Sequence, residues 1–194
     1  VSSLHLPARP LVVFPGDYQF SSAARICADA LPEILRRSDA HFVFACRIKQ
    51  EQSRQIETGI REMIAEAGLD SRVSFFNEIS DMEALVAAAS LVVLPADSLY
   101  AKMDIPLVLL EALREEVPVV VSDHGPLAEL VAEPVGLAAP KGNANAFANA
   151  VVELLQNPDK RREMGKRGRE MVLNRYSPGS ISARYEQLYD ELLS

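Results

Sequence analysis

The sequence predicts an α/β fold, namely an open, doubly wound parallel sheet of about six strands with a C-terminal helical tail. Two observations lead to this prediction. Several short runs, such as LVVF at residues 11–14 and LVVL at 91–94, are apolar and nearly continuous rather than alternating, which is typical of strands covered on both faces. Amphipathic segments separate these runs and supply the crossover helices that parallel strands require. Such a Rossmann-like sheet binds ligands at the C-terminal ends of its strands.

The elements follow in order along the chain. The predicted strands are residues 11–14, 41–46, 73–76, 91–94, 117–121 and 135–138. The predicted helices are residues 21–37, 51–67, 81–88, 106–115, 126–131, 143–156, 159–176 and 178–193. We therefore expect a linker or entering segment at 1–10, a ligand-binding domain at 11–176, and a final helix at 177–194.

Composition narrows the class of protein. The 194 residues carry a net charge of −7, and 48% of them are hydrophobic, which argues against disorder and against polyanion binding by the whole surface. The cysteines, Cys27 and Cys46, lie in apolar surroundings and indicate buried thiols in a reducing compartment. No His or Cys pair has metal-ligand spacing, so we expect no metal. No apolar run reaches the roughly 20 residues of a membrane span, and a signal pattern is missing. We therefore expect a cytoplasmic protein, located in the cytosol itself or at the inner face of the membrane.

The most specific motif is PADSLYAKMDIPLVLLEA at residues 95–112, with VPVVVSDHGPLAELV directly after it. Together with the tail from Val135 to the NRYS at 174–177, it resembles the donor-binding half of the GT-B retaining glycosyltransferases, specifically family 4 (glycosyl transferases group 1). The resemblance covers nearly the whole chain, with several motifs in the family's order. It implies one half of a GT-B fold that binds a nucleotide diphosphate sugar as a substrate, without a cofactor.

The resemblance implies roles for particular residues. Glu111 matches the carboxylate that accepts hydrogen bonds from the ribose hydroxyls. Leu107 and Val108 match residues whose backbone amides face the diphosphate at a helix N-terminus. Ile79 falls where the family's backbone contacts the base, and Gly16 matches the glycine of the first strand-to-helix turn. Glu129 matches the acidic residue of the family's Gly-Gly-x-x-Glu turn.

The sequence also departs from the family pattern. Met103 stands where a Glu faces the donor sugar, and Ile105-Pro106 stands where Phe-Gly is usual. Asp17 and Ser22 stand where an Arg and a Lys grip the diphosphate. Pro106 removes one backbone N–H, and a carboxylate in place of the Arg would repel phosphate.

Three other cations are candidates to replace the lost pair. Arg47 and Lys49 lie at the end of the second predicted strand (FACRIK), and Lys102 stands beside the vacated Glu position. Arg suits bidentate phosphate contact, and Lys acts as a point charge. The alternative is that all three are ordinary surface charges.

Other features have simpler interpretations. Asp17 is either a turn residue that binds its own backbone amides or a sugar ligand, and we favour the turn. The basic run at 160–169 (KRREMGKRGR) carries no aromatics, so we interpret it as a solvated helix face rather than a nucleic-acid site. Contact of that helix with anionic membrane lipids is an alternative. His124 is interpreted as an ordinary loop residue.

We therefore expect the donor-binding domain of a retaining glycosyltransferase, active in polysaccharide, glycolipid or cell-envelope glycan synthesis. The resemblance places the acceptor site and the catalytic residues in an N-terminal domain missing from this chain, so we expect the chain alone to be inactive. The final helix would pack toward that domain. The rival is a degenerate GT-B half that serves as a non-catalytic binding or interaction module, and a third option is another nucleoside-diphosphate-binding enzyme.

Overall fold

A computed structural model of the chain describes residues 4–99 and 104–193. Six parallel strands form one sheet in the order β3-β2-β1-β4-β5-β6, which confirms the predicted Rossmann-like fold. The strands are β1 (Leu11–Phe14), β2 (His41–Ala45), β3 (Val73–Phe76), β4 (Leu91–Leu94), β5 (Val119–Ser122) and β6 (Gly136–Ala139).

Helices connect the strands and form the tail. Over the described residues they are α1 (Ala23–Arg37), α2 (Glu51–Glu66), α3 (Met82–Ala87), α4 (Leu107–Arg114), α5 (Pro126–Leu130), α6 (Ala144–Gln156), α7 (Pro158–Arg175) and α8 (Pro178–Leu193). Most bounds lie within two residues of the predicted ones. The fifth strand starts later than predicted because the Val117 N–H bonds the Ala112 carbonyl and closes α4, and Pro118 has no N–H to donate.

The four inner strands of the sheet are buried on both faces. Every residue of β1, β2, β4 and β5 is buried, whereas β3 lies at the edge and is mostly half-buried. The central pair is β1 and β4, with Val12 opposite Leu91 and Val13 opposite Val92. The chain runs outward from β1 to β3 and then returns to the other side of β1. This reversal opens a crevice between the loops that follow β1 and β4, where doubly wound sheets bind ligands.

Helix α7 packs closely on α4 through two glycines. A Cβ atom on Gly165 would lie 2.0 Å from the Glu116 carbonyl oxygen, and one on Gly168 would lie 2.7 Å from a Leu113 methyl carbon. Glu116 itself has a φ of 60° and ends α4 in a left-handed turn, where glycine is more usual. The Arg169 guanidinium donates to the Arg114 carbonyl, 2.6 Å away, so α7 also caps the C-terminus of α4.

The tail helix α8 packs differently from the rest of the chain. None of its described residues is buried, and its large apolar side chains, such as Tyr185 and Leu192, are 57% and 73% exposed. Among the helices described here, none combines the length and the apolar character needed to cross a membrane.

The loop after β4 is tied to the start of α1 by a charged cap. The Asp97 Oδ1 atom accepts the backbone N–H of Ser22 at 2.8 Å, and Ser22 is the N-cap residue of α1. Burial raises the pKa of the Asp97 carboxyl, but hydrogen bonds from the Ser22 N–H and hydroxyl outweigh that effect, with help from the charge of Lys141. The pKa of Asp97 therefore lies below its ordinary value.

Gly165→Ala tests the contact between α7 and α4. We expect a loss of at least about 2 kcal/mol of unfolding free energy, because a backbone oxygen occupies the space that the new methyl group needs. Gly59→Ala is the matched control: its Cβ meets nothing within 4 Å, so alanine should stabilise α2 by up to about 1 kcal/mol. Urea unfolding of both variants checks this, and equal effects would show that the contact is not tight.

Asp97→Asn tests the charged cap through its pH dependence. Since the folded-state pKa is lowered, the stability that Asp97 contributes is present above the unfolded-state pKa and is lost as pH falls through the folded-state pKa. We expect the variant to be less stable than wild type at pH 7, and the gap to close below about pH 4. Denaturant unfolding across pH 3–7 measures this, with the exposed Asp70→Asn as control. A gap that does not change with pH would contradict the cap.

Candidate functional site

A cleft of about 400 Å³ opens at the crevice between the β1 and β4 loops. The end of β2 and the start of α4 complete its walls, because the carboxyl ends of parallel strands meet at one edge of the sheet. Its lining residues are Pro15, Gly16, Asp17, Phe20, Arg47, Lys49, Leu94 and Pro106. Three of the residues predicted from sequence, Gly16, Arg47 and Lys49, are thereby brought together.

A second cleft, of about 560 Å³, lies beside the first one. Arg47, Glu78, Ile79 and Ser80 line it, so the predicted base-contacting residue Ile79 lies here. Arg47 lines both clefts and stands at their boundary. The segment after β2 thus supplies a cation between the first cleft, at the centre of the sheet, and the second cleft, at its β3 edge.

Gly16 has a packing reason to be glycine. A Cβ atom at this position would lie 2.1 Å from the ring of Phe14, and Phe14 is fully buried at the end of β1. The absence of a side chain therefore lets the loop fold down onto the strand end. The same close approach brings the loop backbone to the cleft wall.

Asp17 forms the turn that the sequence interpretation favoured. Its Oδ1 atom accepts the backbone N–H groups of Gln19 at 2.9 Å and Phe20 at 2.7 Å, the pattern of an Asx turn. Together with the Asp97 cap on Ser22, two carboxylates of the chain occupy amides of the β1–α1 loop. These amides are therefore not open to a phosphate, and the loop brings negative charge to the cleft.

The two cations that follow β2 carry a charge opposite to that of the Asp17 and Asp97 carboxylates. Arg47 and Lys49 are exposed, and within residues 4–99 and 104–193 neither forms an ion pair. Their positive charge is therefore available to a ligand in the first cleft. Lys102, the third candidate cation, and Met103 lie outside the described residues.

The residue that precedes α4, Pro106, lines the first cleft. This proline is the N-cap rather than a helical residue, and its side chain makes no capping hydrogen bond. Pro106 has no N–H, and the amides of Leu107 and Val108 follow it as the first two of the helix. Glu111 lies one turn later and is exposed.

The basic helix α7 is largely neutralised within the fold. Lys160 pairs with Glu153, Arg162 with Asp159 and Arg167 with Glu163. Arg161 donates to the carbonyls of Leu154 and Leu155 and so caps α6. These pairings favour the structural interpretation of the run over a polyanion or lipid surface.

Sequence reasoning missed three residues at the site. Asn77 accepts the Ile48 N–H beside the two cations, Glu78 lines the second cleft, and Asp97 caps α1. All three follow a strand directly or within three residues, which was the available signal. In the described part of the chain, no group of three or more His, Cys, Asp or Glu residues could hold a metal ion.

Comparison with known proteins identifies the family. Residues 9–157 match the family model described as glycosyl transferases group 1. N-acetyl-alpha-D-glucosaminyl L-malate synthase of Bacillus anthracis is 27% identical over 135 residues, which are 69% of this chain and 34% of that protein. The chain therefore spans about a third of the length of this curated relative.

Solved structures agree on the fold. Anabaena HepE in complex with UDP superposes with a TM-score of 0.84 at 18% identity, over 98% of this chain and 51% of that one. The C-terminal domain of a glycosyl transferase group 1 family protein from Francisella tularensis gives 0.79 at 18% identity, over 91% of both chains. The parallel sheet, its cleft and the family model together show that this chain belongs to the glycosyl transferases group 1 family.

Proposed function

We propose that this chain is the donor-binding, C-terminal half of a retaining glycosyltransferase of the family 4 type. It would hold a nucleotide diphosphate sugar while an N-terminal half brings the acceptor. The observation that carries the proposal is the cleft at the β1–β4 crevice, with Arg47 and Lys49 on its wall, neither of which forms an ion pair with another described residue. Family membership and the UDP bound by the HepE relative support the choice of ligand class.

In this proposal the first cleft holds the diphosphate of the ligand and the second cleft holds its base. Arg47 and Lys49 would contact the diphosphate, Arg47 through its fork-shaped guanidinium and Lys49 as a point charge. The first-turn amides of Leu107 and Val108 would add donors from the positive end of α4. Ile79 would contact the base in the second cleft, and Glu111 would accept hydrogen bonds from the ribose hydroxyls.

Electrostatics explains why cations at this position matter. Asp17 lies on the wall of the first cleft, and a carboxylate there disfavours a diphosphate by charge repulsion. Arg47 and Lys49 line the same cleft and offset that charge. Lys102 is a further candidate, proposed from sequence alone. The balance between these groups decides whether the altered donor site binds its ligand.

The acceptor half would cover α8. Ile181, Tyr185, Leu188 and Leu192 recur at helical spacing, so they form one apolar stripe, and each is exposed. The chain spans only about half of the HepE chain, which leaves a second unit of similar size to supply the cover. Closure of two halves over a donor excludes water from the reaction, so the chain alone would not transfer sugar.

The rival function is a non-catalytic GT-B half. The carboxylates that occupy the β1–α1 amides favour it, because they remove part of an ordinary phosphate site. The two hypotheses differ in one measurable property, which is binding of nucleotide sugars. A role in polysaccharide, glycolipid or cell-envelope glycan synthesis, and a cytoplasmic location suggested by the buried thiols of Cys27 and Cys46, complete the proposal.

Arg47→Ala tests the donor site. Wild type should gain thermal stability with one class of UDP-, GDP- or ADP-sugar, because a ligand that binds the folded state raises its stability. Loss of a bidentate contact to a charged group should weaken calorimetric affinity about 10-fold or more. Arg162→Ala, which removes an exposed Arg on α7, is the matched control. Full affinity in Arg47→Ala would refute its role, and no binding by wild type would favour the rival module.

Leu188→Glu tests the proposed cover of α8. The free chain should keep its melting temperature, since Leu188 is 47% exposed there and exposed substitutions cost little. Association with the separately purified N-terminal half of the parent protein should weaken about 10-fold or more, because a charge enters an apolar interface. Ala183→Glu places the same charge on the opposite face of α8 as a control. Equal binding by both variants would show that the stripe is not the interface.

A further inference from the structure

We propose that Asn77 is a positioning residue for the cations Arg47 and Lys49, which it serves by holding the backbone between them. This inference rests on the proposed function, since it concerns how the diphosphate-binding pair is presented. It starts from one contact: the Ile48 backbone N–H donates to the Asn77 Oδ1 atom at 2.5 Å.

The contact extends the sheet beyond its backbone ladder. The last backbone hydrogen bond between the two strands runs from the Cys46 N–H to the Phe76 carbonyl at 3.1 Å. Two residues later on the β2 side, the next N–H on the same edge belongs to Ile48. The Asn77 side chain takes the place of the missing strand carbonyl, so the segment after β2 stays attached where β3 has already ended.

This attachment controls where the cations point. Arg47 and Lys49 are exposed on either side of the half-buried Ile48, which is the alternation typical of an extended segment, so fixing Ile48 directs the two cations together. Both side chains line the first cleft. Ile48 points the other way and packs against the hydrophobic core while half-buried. The pair is thus held by a hydrogen bond and by an apolar anchor at the residue between them.

A second set of contacts fixes the far end of the segment. The Gln19 side-chain nitrogen, Nε2, donates to the side-chain oxygens of Gln50 at 2.9 Å and Gln52 at 3.2 Å. The Ser53 hydroxyl donates to the Gln19 side-chain oxygen, Oε1, at 3.2 Å. Gln50 directly follows Lys49. This network joins the segment to the β1–α1 loop, and therefore to the turn that carries Asp17.

The physical benefit is preorganisation. Arg and Lys side chains are long and flexible, and each immobilised side chain costs binding free energy. With the backbone between them fixed on both sides, less freedom is lost when a diphosphate arrives. Asn77 is exposed, so without it the Ile48 N–H is free to bond water. Removal of the Asn77 side chain should therefore lower ligand affinity more than it lowers the stability of the fold.

The test compares Asn77→Ala with Asn145→Ala, the same change at an exposed residue on α6. The probes are UDP, GDP and ADP, of which the tightest wild-type ligand is used, and its nucleoside without phosphate. We expect Asn77→Ala to weaken diphosphate affinity about 5- to 10-fold, the usual effect of one lost hydrogen bond. Nucleoside affinity and melting temperature should match those of Asn145→Ala.

A double-mutant cycle separates positioning from general damage. In an Arg47→Ala, Lys49→Ala background, Asn77→Ala should cost nothing further, because the groups it positions are gone. The inference is overturned if the effect persists there, or if nucleoside affinity falls equally. It is also overturned, with the proposed function intact, if Arg47→Ala weakens binding while Asn77→Ala behaves like its control. Failure of wild type to bind any of the three diphosphates refutes the proposed function and this inference with it.

Discussion

The burial of a parallel sheet on both faces is the constraint on which the rest of this structure depends. Strands such as β1 and β4 are buried at every residue, so they have no room for polar side chains without hydrogen-bond partners. The charged side chains of the candidate site therefore lie in the loops, and the strand order gathers the loops after β1, β2 and β4 at one crevice. The lining residues of the candidate site come from these loops and from the strand ends beside them.

The distribution of charged residues among these loops is unusual. The β1–α1 loop satisfies its own amides with Asp17 and is tied to the β4 loop by Asp97. These carboxylates thus bring negative charge to the place where the proposed diphosphate would need positive charge. The compensation comes from the neighbouring strand, whose end carries Arg47 and Lys49. Under the proposed function, a site rearranged in this way would bind an anion through side-chain cations and the start of α4 rather than through the first loop.

Helix α7 in the C-terminal tail packs against α4, the helix whose N-terminal end adjoins the first cleft. Helix α7 approaches α4 through Gly165 and Gly168 and caps its C-terminus through Arg169. Since Pro106, the N-cap residue of α4, lines the first cleft, this packing helps to orient one wall of that cleft. The basic residues of α7 are thereby explained by helix pairing and capping. Helix α8, in contrast, presents its apolar stripe to solvent.

The sequence by itself determined the strands, the helices and their parallel arrangement, because continuous apolar runs and helical spacing depend on local residue order. It also indicated that the ligand site lies at the C-terminal ends of β1, β2 and β4, and it favoured a turn role for Asp17. It did not indicate the Asp97 cap on Ser22 or the Asn77 contact with Ile48. Each of these joins residues in loops that follow different strands, 75 and 29 positions apart. Only the tertiary structure decided them, because hydrogen bonds between loops depend on strand order and register, which residue identities alone do not fix.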